Sequence, residues 1–311
     1  MLITAEQRYW WRIALELKLR KLSGDAFQDF FCQVMAKAHG DDFVRVRPFG
    51  RLGDKGCDGY LDSRGHVFQC YGALGGDGGK AAYLTKKMGE DFAKAAKALG
   101  SIMKEWSMVH NLVDGLPVET IEKLEELRKA DGKRKFGFIG IEGLGERIFA
   151  LEMSKIEDLL GVAASSRDTQ DLQAAELREL VAALATAADE VQFDVTAIQP
   201  VPPEKLAFNN LPSHWRALIA GGWQNMGLVA RYFNRHHDPL VGEKIAQIFR
   251  IRYQYLKAQH LESGAIMSVL YETVTGIGNV TASRQVAAQA LLAFLFECCD
   301  IFEDQPAKTK Q

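Results

Sequence analysis

The amino-acid sequence predicts an α/β half built on a central sheet, followed by an all-helical half. Two observations carry this. Up to Ile141, short runs with the two-residue alternation of strands are interleaved with longer runs at helical spacing. From Ser213 to Asp304 the spacing is helical throughout, and a proline-containing stretch, Ile198-Gln-Pro-Val-Pro-Pro through Asn209-Asn-Leu-Pro212, separates the halves. The 311 residues suffice for two domains, read as 1–165 and 213–311 with a connecting segment 166–212.

Composition narrows the class. With 47% hydrophobic and 25% charged residues the chain is a folded, globular one. A formal net charge of −2 means that any nucleic-acid surface must be a local patch. Cys32, Cys57, Cys70, Cys298 and Cys299 form no CxxC pair or zinc spacing, and read as reduced, buried thiols of a cytosolic protein. The most apolar run, around Val286–Phe296, is interrupted by Gln289 and too short to span a bilayer.

The elements follow in order. Residues 5–22 place Trp10, Ile13, Leu15, Leu19 and Leu22 at helical spacing, and Gly24 ends the pattern. A second helix over 25–38 buries Phe27, Phe30, Phe31, Val34 and Met35. Phe43-Val-Arg-Val-Arg-Pro alternates as a strand, with Arg45 and Arg47 on one face. Cys57–Leu61 and His66–Tyr71 flank Asp62-Ser-Arg-Gly, which has turn chemistry, so they form a hairpin. A helix from Tyr83 to about Leu99, a strand Trp106–Leu112, a charged helix Val118–Lys129 and a strand Phe136–Ile141 complete the half. Gly143-x-Gly145 opens a further helix, and 168–190 reads as an amphipathic one.

The hairpin carries the candidate site. With Leu61 opposite His66, counting back puts Asp58 opposite Gln69, their Cβ atoms roughly 5 Å apart, with Tyr71 on the same face. Carboxylate and amide oxygens are the donors a hard cation such as Mg²⁺ accepts. An Asp-Gly on one strand, followed on the next by Gln-x-Tyr at Gln69–Tyr71, resembles the Mrr-like branch of the PD-(D/E)XK nucleases. The resemblance implies a restriction-endonuclease-like core, DNA as substrate, and Mg²⁺ (or Mn²⁺) held by Asp58 and Gln69, with the Cys70 carbonyl as a third ligand. In that family a Lys orients or deprotonates the attacking water. Tyr71 occupies its position, and a phenol brings no fixed positive charge.

Lys86 and Lys87, in the first turns of the following helix, are candidates to restore that charge, because the chemistry needs only an ammonium near the phosphate; as surface residues they would be solvated helix charges. In the family the helix before the first strand often adds an acid, for which Gln28 and Asp29 are the candidates. Arg45 and Arg47 read either as a phosphate clamp or as a solvated edge strand. Gly72-Ala-Leu-Gly-Gly-Asp-Gly-Gly-Lys80 is not a nucleotide-binding loop, since the glycine spacing fails and Ala81 replaces the Ser or Thr; it reads as a loop over the site.

In the helical half, helices are expected over Trp215–Gly222, Met226–His236, Pro239–Lys257, Ser263–Thr275 and Ala282–Cys299. Three phrases stand out: Lys205-Leu-Ala-Phe-Asn-Asn-Leu, Asp238-Pro-Leu-Val-Gly-Glu-Lys-Ile-Ala and Phe296-Glu-Cys-Cys-Asp-Ile-Phe-Glu303. They resemble the C-terminal region of effector subunits in ABC-three-component and Lamassu-like antiphage systems. That resemblance implies docking onto an SMC- or Rad50-like ABC ATPase and a small middle component, with self-association open. His236-His237-Asp238 reads as a loop rather than a metal site, because adjacent histidines do not easily converge on one ion. Two functions remain: a Mg²⁺-dependent DNA endonuclease effector, or a nuclease-fold adaptor that binds DNA or assembles the complex without cleaving. A stand-alone restriction enzyme would need its own recognition domain, and the helical half has no basic recognition helix.

Overall fold

A computed structural model describes residues 3–47, 55–74, 81–188, 205–278, 280–298 and 301–303. The tail of the glycine stretch (75–80), the first part of the proline stretch (198–204) and Cys299 lie outside them. The chain divides into two compact units, Ala14–Leu160 and Gly161–Gln311, the latter including Leu2–Ile13. Helix α1 (Ala5–Lys21) thus contributes to both.

The first unit runs α2 (Gly24–His39), β1 (Phe43–Arg45), β2 (Gly59–Leu61), β3 (His66–Tyr71), α3 (Ala81–Leu99), β4 (Glu105–His110), α4 (Val118–Asp131), β5 (Lys135–Ile139), α5 (Ile141–Phe149) and α6 (Met153–Leu160). Through β5 this is the element order the sequence predicts. The five strands lie in the order β1-β2-β3-β4-β5. β1, β2 and β3 form an antiparallel meander, while β4 and β5 run parallel to β3. Leu61 faces His66 as counted, and the intervening loop is a 3-10 turn closed by Gly65 at φ 61°. A side chain at Gly65 would also collide with the Ile102 carbonyl, 2.5 Å from an ideal Cβ.

The two faces of the sheet differ. Phe31 of α2 stacks on Phe43 and Phe68, which defines one face. Val67 and Tyr71 alternate to the other, where they pack with Leu84 and Met88 of α3 and with Trp106, Met108 and Phe136. Asn111, fully buried just past β4, ties the end of α1 to the segment that follows β3. Its Nδ2 donates to the Leu19, Leu22 and Ala73 carbonyls and its Oδ1 accepts from the Ala73 N–H.

Several expectations shift. The strand expected over Trp106–Leu112 is Glu105–His110, because Asn111 spends its amide on α1 and Ala73 rather than on a ladder. The single helix expected over 168–190 is two, Ser166–Gln170 (α7) and Ala174–Ala188 (α8). Ser165 and Asp168 close a capping box that starts the shorter one. α6 was not anticipated from the sequence; only Ile156 and Leu159 of its eight residues are buried.

The second unit continues with α9 (Lys205–Phe208), α10 (Ser213–Gly222), α11 (Met226–Arg235), α12 (Val241–Ala258), α13 (Ser263–Thr275) and α14 (Ala282–Glu297). α14 is apolar nearly all round and forms the centre, with eleven buried residues from Gln285 to Phe296. No helix among the described residues is long and apolar enough to cross a membrane.

Asn111→Ala leaves the Ala73 N–H and three carbonyls without their partner. It should destabilise the first unit by about 2–4 kcal/mol in urea unfolding, since buried polar groups lose their bonds together. A loss below about 1 kcal/mol would show that water replaces the amide without penalty.

Candidate functional site

Asp58 sits just before β2, where the hairpin register changes. Gly59 is the partner of Phe68, and the Asp58 N–H also donates to the Phe68 carbonyl, at 2.8 Å. Two residues thus address one, as at a β-bulge, and the ladder kinks there. The Asp58 carbonyl accepts from the Val46 N–H at 3.1 Å. Its carboxylate turns onto β3, where Oδ2 accepts the Cys70 N–H at 2.6 Å. The carboxylate is therefore anchored beside Gln69 by a backbone bond rather than by strict cross-strand opposition.

Gln69 lies between Val67 and Tyr71 on β3, on the α3 face by strand alternation. It is buried, and its Oε1 has no hydrogen-bond partner among the described residues. A buried amide oxygen left unbonded costs about 1–3 kcal/mol, so this atom marks a place where a ligand would be welcome. Tyr71 packs with the apolar residues of the same face, its ring 6.5 Å from that of Tyr83.

α3 brings a lysine to this face, and the two candidates separate. Lys86 is 75% exposed and makes only a loose i,i+4 approach to Glu90 at 3.8 Å. Lys87 is 30% exposed, with its ammonium 2.6 Å from Asp91 Oδ2. Burial works against the Lys87 charge, but the bond and charge of Asp91, with Asp58 adding to them, outweigh it and raise its pKa above the ordinary lysine value. Lys87 is thus electrostatically coupled to Asp58, whereas Lys86 lies on the solvated side of the helix.

Asp91 was not singled out by the sequence reading. It occupies the buried stripe of α3, Leu84-Met88-Asp91-Ala95, and pairs with Lys87 and, at 3.2 Å, with Lys94. The signal was present: a carboxylate standing in an apolar i, i+4, i+7 series is out of place unless it has partners.

The other candidates fall elsewhere. Arg45 forms an ion pair with Asp29 of α2, which ties both to the α2 side. β1 ends at Arg45, so Arg47 lies beyond the strand; it is exposed. Gln28 belongs to the same helix. The thiol of Cys70 is pushed well up by burial, with Asp58 and the Cys32 and Cys57 thiols adding to the effect. Burial, with Asp58 beside it, likewise raises Cys32 to about 12. These sulfurs stay protonated, so any ligand role of Cys70 belongs to its backbone. Among the described residues no cluster of three or more His, Cys, Asp or Glu side chains could hold a metal; the oxygens available are the Asp58 carboxylate and the Gln69 amide.

Two buried histidines flank the sheet. His66 Nε2 lies 2.9 Å from Ser107 Oγ and its Nδ1 3.5 Å from Glu105. Burial outweighs the attraction of Glu105 and lowers its pKa to about 4, so the Glu105 contact is not an ion pair at neutral pH. His110, opposite Tyr71 on β4, is likewise lowered to about 4 by burial.

In the second unit the three phrases noted in the sequence bond to one another or cap a helix. Lys205 is buried, its Nζ donating to the Phe296 carbonyl at 2.7 Å over that residue's ring. Asn209 exchanges two bonds with the Glu303 backbone. Asp238 Oδ1 accepts the Leu240 N–H at the start of α12, and its other oxygen meets Lys244 at 2.9 Å. His236 accepts the Asp238 N–H at 3.2 Å and its ring lies 4.2 Å from that of His237, in the loop between α11 and α12.

These features define a chain with an α/β unit that gathers buried polar groups on one sheet face, joined to an all-helical unit. Residues 175–303 match the family model for C-terminal domain 10 of the ABC-three component (ABC-3C) systems. The helical unit is thus of the kind carried by components of those systems, and the match supports membership in one. No curated protein and no solved structure matches the chain.

Lowered imidazole pKa values make stability depend on pH. Below about 6.5 the unfolded chain binds protons that folded His66 and His110 refuse, so stability falls as pH drops from about 6.5 towards 4. The Hε1 resonances of both residues should therefore stay unchanged from pH 8 to 5.5. A midpoint near 6.5 for either would contradict the burial argument.

Proposed function

We propose that this chain is the DNA-cleaving effector of an ABC-three component complex, with a restriction-endonuclease-like core. The observation that carries the reading is the convergence on one sheet face of Asp58, the unbonded Gln69 oxygen and the Lys87 ammonium. The strand order, an antiparallel meander continued by parallel β4, and the hairpin position of Asp58 and Gln69 support the same core. The α/β unit would supply the chemistry. The helical unit would join the partners, an SMC- or Rad50-like ABC ATPase and a small middle component.

The donor set fits a hard divalent cation. Asp58 and Gln69 would hold Mg²⁺ or Mn²⁺, with the Cys70 carbonyl as a further oxygen, and the ion would supply Lewis-acid activation of water and charge neutralisation. Lys87 takes the place that Tyr71 leaves without charge. Asp91 keeps its ammonium protonated and oriented, so that it meets the negative charge developing on the attacked phosphate. Tyr71 packs the wall of the site. Arg47, exposed beyond β1, is free of Asp29 and is the better candidate for a backbone phosphate than Arg45.

Cleavage of linear and circular plasmid DNA with Mg²⁺ or Mn²⁺ tests this, with the chain alone and with its genomic neighbours plus ATP. Asp58→Ala and Lys87→Ala should each lower cleavage at least 100-fold, on the scale of lost electrostatic stabilisation, roughly 2.7–4 kcal/mol. Lys86→Ala should leave it within about twofold, as expected of a solvated charge. Asp91→Asn should reduce the rate about 10-fold or more and move the pH profile, because it frees Lys87 to lose its proton at lower pH. An absence of cutting in every combination, with complex assembly intact, would leave a nuclease-fold adaptor. Mn²⁺ binding by calorimetry, abolished in Asp58→Asn, separates loss of the metal from loss of a partner.

A further inference from the structure

We propose that the N-terminal end of α5, with His110 beneath it, is a phosphate-binding site. α5 leaves β5 through Gly140, an N-cap residue with no side chain to cap the first turn. The bond from the Leu144 N–H to the Gly140 carbonyl, at 2.9 Å, closes the helix. The N–H groups of such a first turn have no partners within the helix, and they sit at the positive end of its dipole.

A helix end alone would not make a site; His110 adds the second element. His110 is 5% exposed, and its Nδ1 is buried without a hydrogen-bond partner among the described residues. The ring lies directly against Gly140: an ideal Cβ on that residue would be 2.6 Å from His110 Cε1 and 2.9 Å from Nε2. Any other residue at 140 would have to displace the imidazole, so glycine here holds a polar ring at the mouth of the helix. A neutral imidazole has one donor and one acceptor. Donating its N–H to a phosphate oxygen would relieve the burial of an unbonded group.

The location agrees with this chemistry. His110 ends β4, and Ile139 ends β5 immediately before Gly140. The site therefore lies past the carboxyl ends of parallel strands, where α/β sheets take ligands, and a helix N-terminus there is an anion site. Glu142, exposed in the first turn, opposes an anion and keeps the affinity moderate. The ligand is a phosphate group, either of a polynucleotide backbone or free in solution. His110 is the β4 partner of Tyr71, two residues further along the strands than the Gln69–Met108 pair, and the existence of the site does not depend on cleavage.

The test is a ¹⁵N–¹H NMR titration of the full chain at constant ionic strength, with sodium phosphate in one arm and a short oligonucleotide in the other. The His110 ring nitrogens and the amides of Ile141–Gly143 should shift together and saturate. Saturation by the oligonucleotide alone assigns a backbone phosphate, and saturation by both assigns a general phosphate site. Glu142→Gln should tighten binding about two- to fivefold, the worth of one charge at a helix end. His110→Phe, which keeps the ring and removes its nitrogens, should weaken binding about tenfold. No saturating shift in either arm, or an unchanged affinity in Glu142→Gln, would overturn the site, and the latter variant serves even where His110→Phe fails to fold.

Discussion

The bond from the Cys70 N–H to the Asp58 carboxylate is the constraint around which the α/β unit is arranged. It takes a buried charge and gives it a backbone donor, which is what makes the burial tolerable. It also explains why the ladder kinks at this point. With Asp58 and Gly59 both addressing Phe68, the carboxylate leaves the strand's ordinary alternation and reaches across to β3. Without the bulge, Asp58 would simply continue β2. With it, the charge is fixed where α3 can answer it with Lys87.

That answer accounts for an otherwise costly choice in α3. An apolar residue at position 91 would complete the helix's buried stripe more cheaply than a carboxylate does. Asp91 instead keeps Lys87 charged against the burial that would neutralise it. The opposite face has no such demand. There Phe31, Phe43 and Phe68 stack, and His66 is kept neutral beside Ser107. One sheet thus carries an aromatic face, with the Arg45–Asp29 ion pair at its edge, and a face where Lys87 and Asp91 are held against buried surroundings.

The sequence revealed the architecture more readily than the site. Alternation and helical spacing located the five strands and most helices, because each depends on neighbours a few residues apart. The turn at Asp62–Gly65 fixed Leu61 against His66 in the same way. What it did not reveal depends on contacts distant in sequence. Asn111 looked like one more strand residue, and only the approach of Leu19, Leu22 and Ala73 shows why the strand stops. Lys86 and Lys87 were indistinguishable as text, since adjacent helical residues differ only by which way the helix is turned toward the sheet. Arg45 and Arg47 were read as a pair, but the Asp29 partner that divides them lies on another element. Asp91 is legible in principle, as an acid in an apolar stripe.

The helical unit shows the same relation from the other side. Its most distinctive words are not surface signatures but the clasps of its own fold. Lys205 and Asn209, near the start of the segment, hold Phe296 and Glu303 near its end. Asp238 fixes the entry to α12 through Leu240 and Lys244. A buried ammonium on a backbone carbonyl tolerates few substitutes, because the larger planar guanidinium of arginine does not fit the space of a compact ammonium. Such residues hold the helical unit in shape while saying little about what it touches. Its outward-facing residues, Ile251 and Tyr255 on α12 among them, are under no such internal constraint. These three phrases therefore serve the fold of the unit, and partner choice is left to the surface that the clasps hold in shape.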